Sequence, residues 1–173
     1  MSRSHTWPPP ELKRLETQLD SLTRAVEEGS ERDIDEQIWL TRFLIIRACG
    51  YLEQVVHATV IGHIQQGSYG TARSFALSWL ERSRNPSRDN LVTTLGRLDA
   101  ELSREFEELL ERNDKEFHQN LYLLVGRRHQ IAHGENEGLS SQKAISLTKF
   151  AKELADWFIL RLNPNRTTSR QQS

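Results

Sequence analysis

After the proline triplet at 8–10, leucines and a valine recur at three- and four-residue steps: Leu12, Leu15, Leu19, Leu22 and Val26. This spacing predicts an amphipathic helix over about 9–28, with a narrow apolar stripe suited to packing on one partner surface. Gly29–Ser30 reads as a break. A longer helix is predicted from about Asp33 to about Gln65. Its apolar positions, among them Ile38, Trp39, Phe43 to Ile46, Tyr51, Leu52, Val55, Val60 and Ile64, occupy most of the circumference. Such a helix is expected at the centre of the fold, buried by several neighbours. Arg47 and Glu53 interrupt it, either facing solvent or held in a buried polar cluster that needs partners.

The run "QQGSYG" (65–70) reads as a loop, and "TARSFALSWLE" as a short helix with Phe75, Trp79 and Leu80 inward. "RSRNPSRDN" (82–90) is an arginine-rich loop in which Ser87 or Asp89 would cap the next helix. From Asn90 to about Arg112 a stripe of Leu91, Leu95, Leu98, Leu102, Phe106, Leu109 and Leu110 predicts one helix. Its remaining positions are acidic, which disfavours nucleic acid on that face. Asn113 or Asp114 would cap a further helix carrying Phe117, Leu121, Leu124 and Val125 into "LLVGRRHQIAHGEN" (123–136). After "GENEGLSS", a last helix over about 141–162 is predicted to bury Ala144, Leu147, Phe150, Ala151, Leu154, Trp157, Phe158 and Leu162. Neither an internal repeat, a glycine-rich phosphate loop nor an alternating strand pattern is evident. The expected fold is all-α, a bundle of about five to six helices. One domain is expected over 9–162, its core from about 33, with a disordered N-terminus (1–8) and a polar flexible tail (163–173).

Composition narrows the function without naming it. A net charge of −1 gives no general attraction to nucleic acid or an anionic membrane, so such binding would need a local patch. The single cysteine, Cys49, permits no intramolecular disulfide and fits a reducing cytosol. Within "FLIIRACGYL" it is expected to be a buried, inert thiol. The first residues have no apolar core for a signal peptide, and the uninterrupted apolar runs are too short to span a bilayer. A soluble, cytoplasmic protein is expected, with no membrane partner.

The chemistry concentrates at 127–136. If the helix continues to His133, Phe117, Leu121, Leu124, Arg128, Ile131 and Ala132 fall on one side. Arg128 then occupies a core-facing slot and needs an acidic partner, a ligand phosphate or a second subunit. Glu53 is a candidate partner; Arg127 points elsewhere. His129 and His133 are neighbours beside the stripe. "HQIAH" has the spacing of a zinc-protease helix but carries Gln130 where that chemistry needs a glutamate, and no third ligand is evident. A second reading makes them solvated or capping histidines at a helix end. The third is catalytic. Arginine can hold a phosphate bidentately and stabilise charge on its oxygens, and histidine transfers protons near neutral pH. With the RNA 2′-hydroxyl as nucleophile, no metal or cofactor is called for.

Here the sequence resembles the HEPN superfamily, helical domains whose ribonuclease members carry R-x4-6-H, commonly with a polar residue directly after the arginine. This chain has Arg128, His129 and then His133, followed by Gly134 in an "AHG" turn and by a final amphipathic helix. "LIIRACGYLEQVVHATVIGHI" (44–64) looks like the long first-core helix of the RiboL-PSP-like HEPN branch, in which an arginine (here Arg47) precedes an apolar stretch and a glutamate (here Glu53). The resemblance covers roughly 33–162. It implies Arg128 and His133 as a catalytic pair with His129 assisting, and Glu53, Arg47 and Arg127 in support. It also implies a homodimer whose two motifs form one cleft, and metal-independent endoribonuclease cleavage leaving a 2′,3′-cyclic phosphate. A role as toxin or effector of a toxin–antitoxin or antiphage defence system would follow, with an antitoxin or regulatory protein as partner. Glu135 stands where HEPN toxins silenced by a nucleotidyltransferase carry tyrosine. The alternative is a catalytically silent HEPN module for dimerisation or ligand binding. For RNA, Arg82, Arg84 and Arg88 offer a rim patch and Arg161, Arg166 and Arg170 a basic end; Tyr122 could stack on bases, whereas Trp79 suits the core.

Overall fold

Proline at the first turn and leucines spaced by seven start the chain as a helix that buries a single stripe. The computed structural model describes residues 7–29, 32–78, 80, 85–135 and 138–165. Among them are six helices and no strand: α1 (Pro10–Glu27), α2 (Ile34–Gly67), α3 (Gly70–Ser78), α4 (Arg88–Leu98), α5 (Ala100–Ala132) and α6 (Ser141–Arg161). Leu12, Leu19 and Val26 of α1 are buried against α2 and α6. The all-α bundle expected from periodicity is present. Expectations for 1–6, Trp79, Arg82, Arg84, Arg166 and Arg170 fall outside the described residues.

α2 is the axle. Asp33 caps it by accepting from the Asp35 backbone N–H at 3.2 Å, satisfying one of the orphan donors of its first turn. It packs most extensively on α6 and also touches α1, α3 and α5. Leu44, Ile45, Ala48, Cys49, Leu52 and Val55 have no accessible surface. Its length and composition meet the requirement for a membrane span, which the uninterrupted runs alone do not reveal; half of that apolar window is buried by the rest of the bundle. Burial is not complete around α2, however. Trp39 and Phe43 are 66% and 49% exposed, and Ile38 and Ile46 join them at the surface.

One boundary differs from the periodicity, and one agrees with it. The stripe from Leu91 to Leu110 is not one helix: at Asp99 (φ −161°, ψ 127°) the chain turns extended. Asp99 ends α4 by donating its N–H to the Leu95 carbonyl at 2.8 Å, and starts α5 by accepting from the Glu101 N–H at 2.8 Å. α4 thereby folds back on α5, with Ser103 Oγ donating to the Val92 carbonyl. Periodicity cannot see this, because both helices bury the same leucine stripe. α5 itself kinks at 112–115, where Asn113, Asp114 and Lys115 adopt positive φ. Asparagine and aspartate tolerate that conformation. The helix boundary expected at 113–114 is therefore present: helical φ/ψ is lost from Arg112 through Lys115, and α5 is two helical segments joined across this kink.

Smaller corrections follow from side chains. Phe75, expected inward, is 65% exposed, while Leu80 packs partly against the core. Trp7, expected within a disordered N-terminus, is half-buried and donates Nε1–H to the Ile159 carbonyl at 3.0 Å. The last helix matches its expected span, capped by Ser140. Phe106 knits α5 to α6 through tilted contacts with Trp157 and Phe158 at 5.4 and 5.7 Å. Because Phe106 is wholly buried, Phe106→Ala should cost about 3–5 kcal/mol of stability. Urea unfolding of the two proteins measures this, and a loss below about 1 kcal/mol would contradict the packing described.

Candidate active site

The end of α5 is fixed by its backbone. His133 is the C-cap residue, and Gly134 follows at φ 75°, a conformation that glycine adopts without steric cost. The Gly134 N–H donates to the Ile131 carbonyl at 3.1 Å and the Glu135 N–H to the Gln130 carbonyl at 3.0 Å. This pair of bonds is the Schellman closure of a helix end. The "AHG" sequence therefore does a geometric job: it stops the helix directly after His133.

One turn earlier, Arg128 is the charge in an apolar stripe, and its neighbour in space is Glu53 of α2. Arg128 Nη2 lies 3.8 Å from Glu53 Oε1, with side-chain exposures of 39% and 17%. Burial raises the Glu53 carboxyl above its ordinary value, opposed by the nearby Arg128 charge. Four residues before Glu53, burial pushes the Cys49 thiol up to about 12, with Glu53 adding to the rise and Arg128 opposing it. Cys49 is thus buried and held as a thiol, unsuited to nucleophilic work.

His129 and His133 stack edge to face with ring centroids 4.3 Å apart, and both are exposed. Arg128 and His133, five residues apart, sit about 140° apart around the helix axis. Within one chain, Arg128 pairs with Glu53 while His133 meets His129. His129 is the residue that adjoins both. Among the described residues, no group of three histidine, cysteine, aspartate or glutamate side chains is arranged so that it could hold a metal ion.

The supporting residues separate. Arg47 turns to α1, where its Nη2 lies 3.4 Å from Gln18 Oε1, so the arginine that precedes Glu53 in sequence is not brought to Arg128. Arg127 donates to Gln130 Oε1 at 3.4 Å. Arg88 pairs with Glu107 at 2.9 Å and Asp89 at 3.3 Å. Arg161, expected at a basic end, is instead bound to Glu105 of α5. Beside α5 lies a cleft of about 540 Å³, lined by Arg88, His118, Tyr122, Gly126, Arg127 and His129 among others. His118 was not singled out by the sequence reading. Its signal was its spacing: His118, Tyr122, His129 and His133 fall on one helical face.

A family model described as RiboL-PSP-HEPN matches residues 11–162. The chain belongs to the RiboL-PSP-HEPN family. This agrees with the all-α fold and with the family resemblance of the sequence, and it extends the match through α1. No curated protein and no solved structure matches the chain. HEPN domains are usually associated with ribonuclease activity and commonly dimerise. In this HEPN domain, Glu53 and Arg128 couple the two longest helices at the place where the histidines end α5.

The raised Glu53 carboxyl carries a sign that can be tested. The folded chain holds this proton more tightly than the unfolded chain, so the group favours folding most at acid pH. That contribution falls as pH climbs from the ordinary glutamate value through the raised folded one. Removing Arg128 takes away the opposing charge and extends the window upward. Arg128→Ala should therefore lower the Tm more at about pH 7 than at about pH 4, and Glu53→Gln in the same chain should remove the difference. Melting curves giving the same gap at both pH values would sink this account.

Proposed function

We propose that this HEPN domain is a metal-independent endoribonuclease acting through Arg128, His133 and His129. The observation that supports it most is that the last two turns of α5 carry both a partly exposed guanidinium, held by Glu53, and two contacting imidazoles at a capped helix end. One imidazole removes the proton of an RNA 2′-hydroxyl as the O2′–P bond forms. Arg128 balances the charge that develops on the non-bridging phosphate oxygens. The second imidazole protonates O5′ as the P–O5′ bond breaks, leaving a 2′,3′-cyclic phosphate and a 5′-hydroxyl. Glu53 positions Arg128; Arg127 adds positive charge beside the cleft. Arg47 takes no part in this assignment.

The angle between Arg128 and His133 favours a site completed by a second copy, and α2 supplies a surface for it. Trp39, Phe43, Ile46, Gly50 and Glu53 follow one another at four- and three-residue steps along one face. The first three are exposed, and a Cβ at Gly50 would meet nothing within 4 Å. An apolar stripe interrupted by a glycine lets two copies of α2 approach closely, in a symmetric contact that ends at Glu53 and Arg128. The same angle also supports a second reading, a catalytically silent dimerisation or ligand-binding module. In the cell we place the enzyme in the cytoplasm as a toxin or defence effector restrained by a protein partner.

Purified chain incubated with mixed RNA in EDTA should cleave it to products ending in cyclic phosphate. Arg128→Ala and His133→Ala should each lower the rate at least about a hundredfold; no cleavage, or cleavage that survives both changes, would leave the silent module. Sedimentation should give a dimer for the unaltered chain and a monomer for Phe43→Arg. A wild-type monomer, or a dimer indifferent to Phe43, would rule out the α2 stripe as the contact.

A further inference from the structure

The cleft beside the motif has a composition that folding does not require. His118, Tyr122, Gly126, His129 and His133 succeed one another on one face of α5. From His118 to His129 this face spans about 16 Å. The start of α4, with Ser87 and Arg88, forms the other side. The volume of about 540 Å³ lies within the ordinary range for organic ligands. Leu121 and Val125 give it an apolar wall.

Tyr122 is 75% exposed and contacts no other ring among the described residues, while Leu121 and Leu124 on either side are buried. The core therefore does not account for this aromatic ring. Gly126, one turn on, leaves the space open: a Cβ there would meet nothing within 4 Å. Glycine inside a helix is disfavoured relative to alanine, so its use here costs stability and gives room. Arg88 is held by Glu107 and Asp89, which fixes a guanidinium at the rim without burying it. An apolar wall, an open aromatic face and a fixed cation together suit a nucleobase with its phosphate. Several helical turns of this surface lead directly to His129 and His133.

We propose that this cleft is a single-stranded RNA subsite, one base stacking on Tyr122 and the strand passing along α5 to the His129–His133 pair. His118 is its polar edge and Arg88 its cationic rim. The choice of RNA as ligand rests on the ribonuclease reading; the stacking site itself does not depend on cleavage. Such a site selects unpaired RNA, because a base within a duplex has no free face to offer the tyrosine.

The test uses the full chain and a fluorescent 2′-O-methyl oligoribonucleotide, which cannot be cut by its own 2′-oxygen. Anisotropy titrations should show Tyr122→Ala binding about tenfold more weakly, and Tyr122→Phe close to the unaltered chain. Gly126→Leu, which enters open space and should leave the melting temperature intact, should weaken binding at least as much. On cleavable RNA, Tyr122→Ala should raise KM while kcat is largely kept. Absent binding, or affinity indifferent to both Tyr122→Ala and Gly126→Leu, overturns the subsite even if RNA is cut. Tyr122-dependent binding without any cleavage upholds the subsite and removes the nuclease reading instead.

Discussion

Burial of α2 is the constraint on which the rest of the structure depends. A 34-residue helix apolar on most of its circumference cannot rest against one neighbour, because its remaining sides would stay in water. α6 covers it most extensively, with α1 and α5 on other sides and α3 near its end. The order of packing explains why the last helix, far away in sequence, reaches the centre: its buried set Ala144, Leu147, Ala151, Leu154 and Phe158 is the complement of the α2 surface. α1 joins both helices and is tied down by Lys152 of α6, which bonds Asp20 at 2.7 Å and Glu16 at 3.2 Å. That ion pair cluster is partly exposed and contributes modestly beside the apolar contact.

The candidate site is a by-product of this packing in a physical sense. Glu53 is raised in pKa because the bundle buries it, and Arg128 compensates because α5 crosses α2 there. Among the described residues, neither group has a closer ion-pair partner. A 3.8 Å ion pair with the guanidinium partly exposed leaves Arg128 available for a second anion. The Schellman closure at Gly134 then sets where His133 stands relative to it. Helix burial, a half-paired charge and a glycine-stopped terminus are three separate devices that meet within about two turns at the end of α5.

What the bundle leaves uncovered is as informative as what it buries. The Trp39–Phe43–Ile46 stripe and the Tyr122 cleft are both apolar or aromatic surfaces exposed on otherwise well-packed helices. Each adjoins a different member of the motif: the stripe runs to Glu53 and Arg128, the cleft to His129. The helical rotation between Arg128 and His129 divides those two surfaces. A single chain thus presents its arginine and its histidines on different sides of one helix.

Periodicity alone determined the all-α class, the span of α1, α2 and α6, and most of their buried positions, because burying a stripe requires a repeat near 3.6 residues. It also isolated Arg128, since a charge in an apolar slot stands out without any coordinates, and it nominated Glu53 by the same logic. Phe75 and Trp39 were misjudged as buried because apolarity marks what favours burial, whereas only neighbouring helices supply the cover. The break at Asp99 was hidden because two antiparallel helices share one leucine stripe. Arg47 and Glu53 looked equivalent as polar interruptions of α2; tertiary packing sent one to α1 and the other to α5. The cleft, finally, lies between the start of α4 and the later part of α5, and His118 acquires meaning only when the turn at Asp99 folds α4 back and brings Arg88 opposite it. Spacing within a helix is written locally in the chain, whereas the pairing of faces depends on the packing of every element at once.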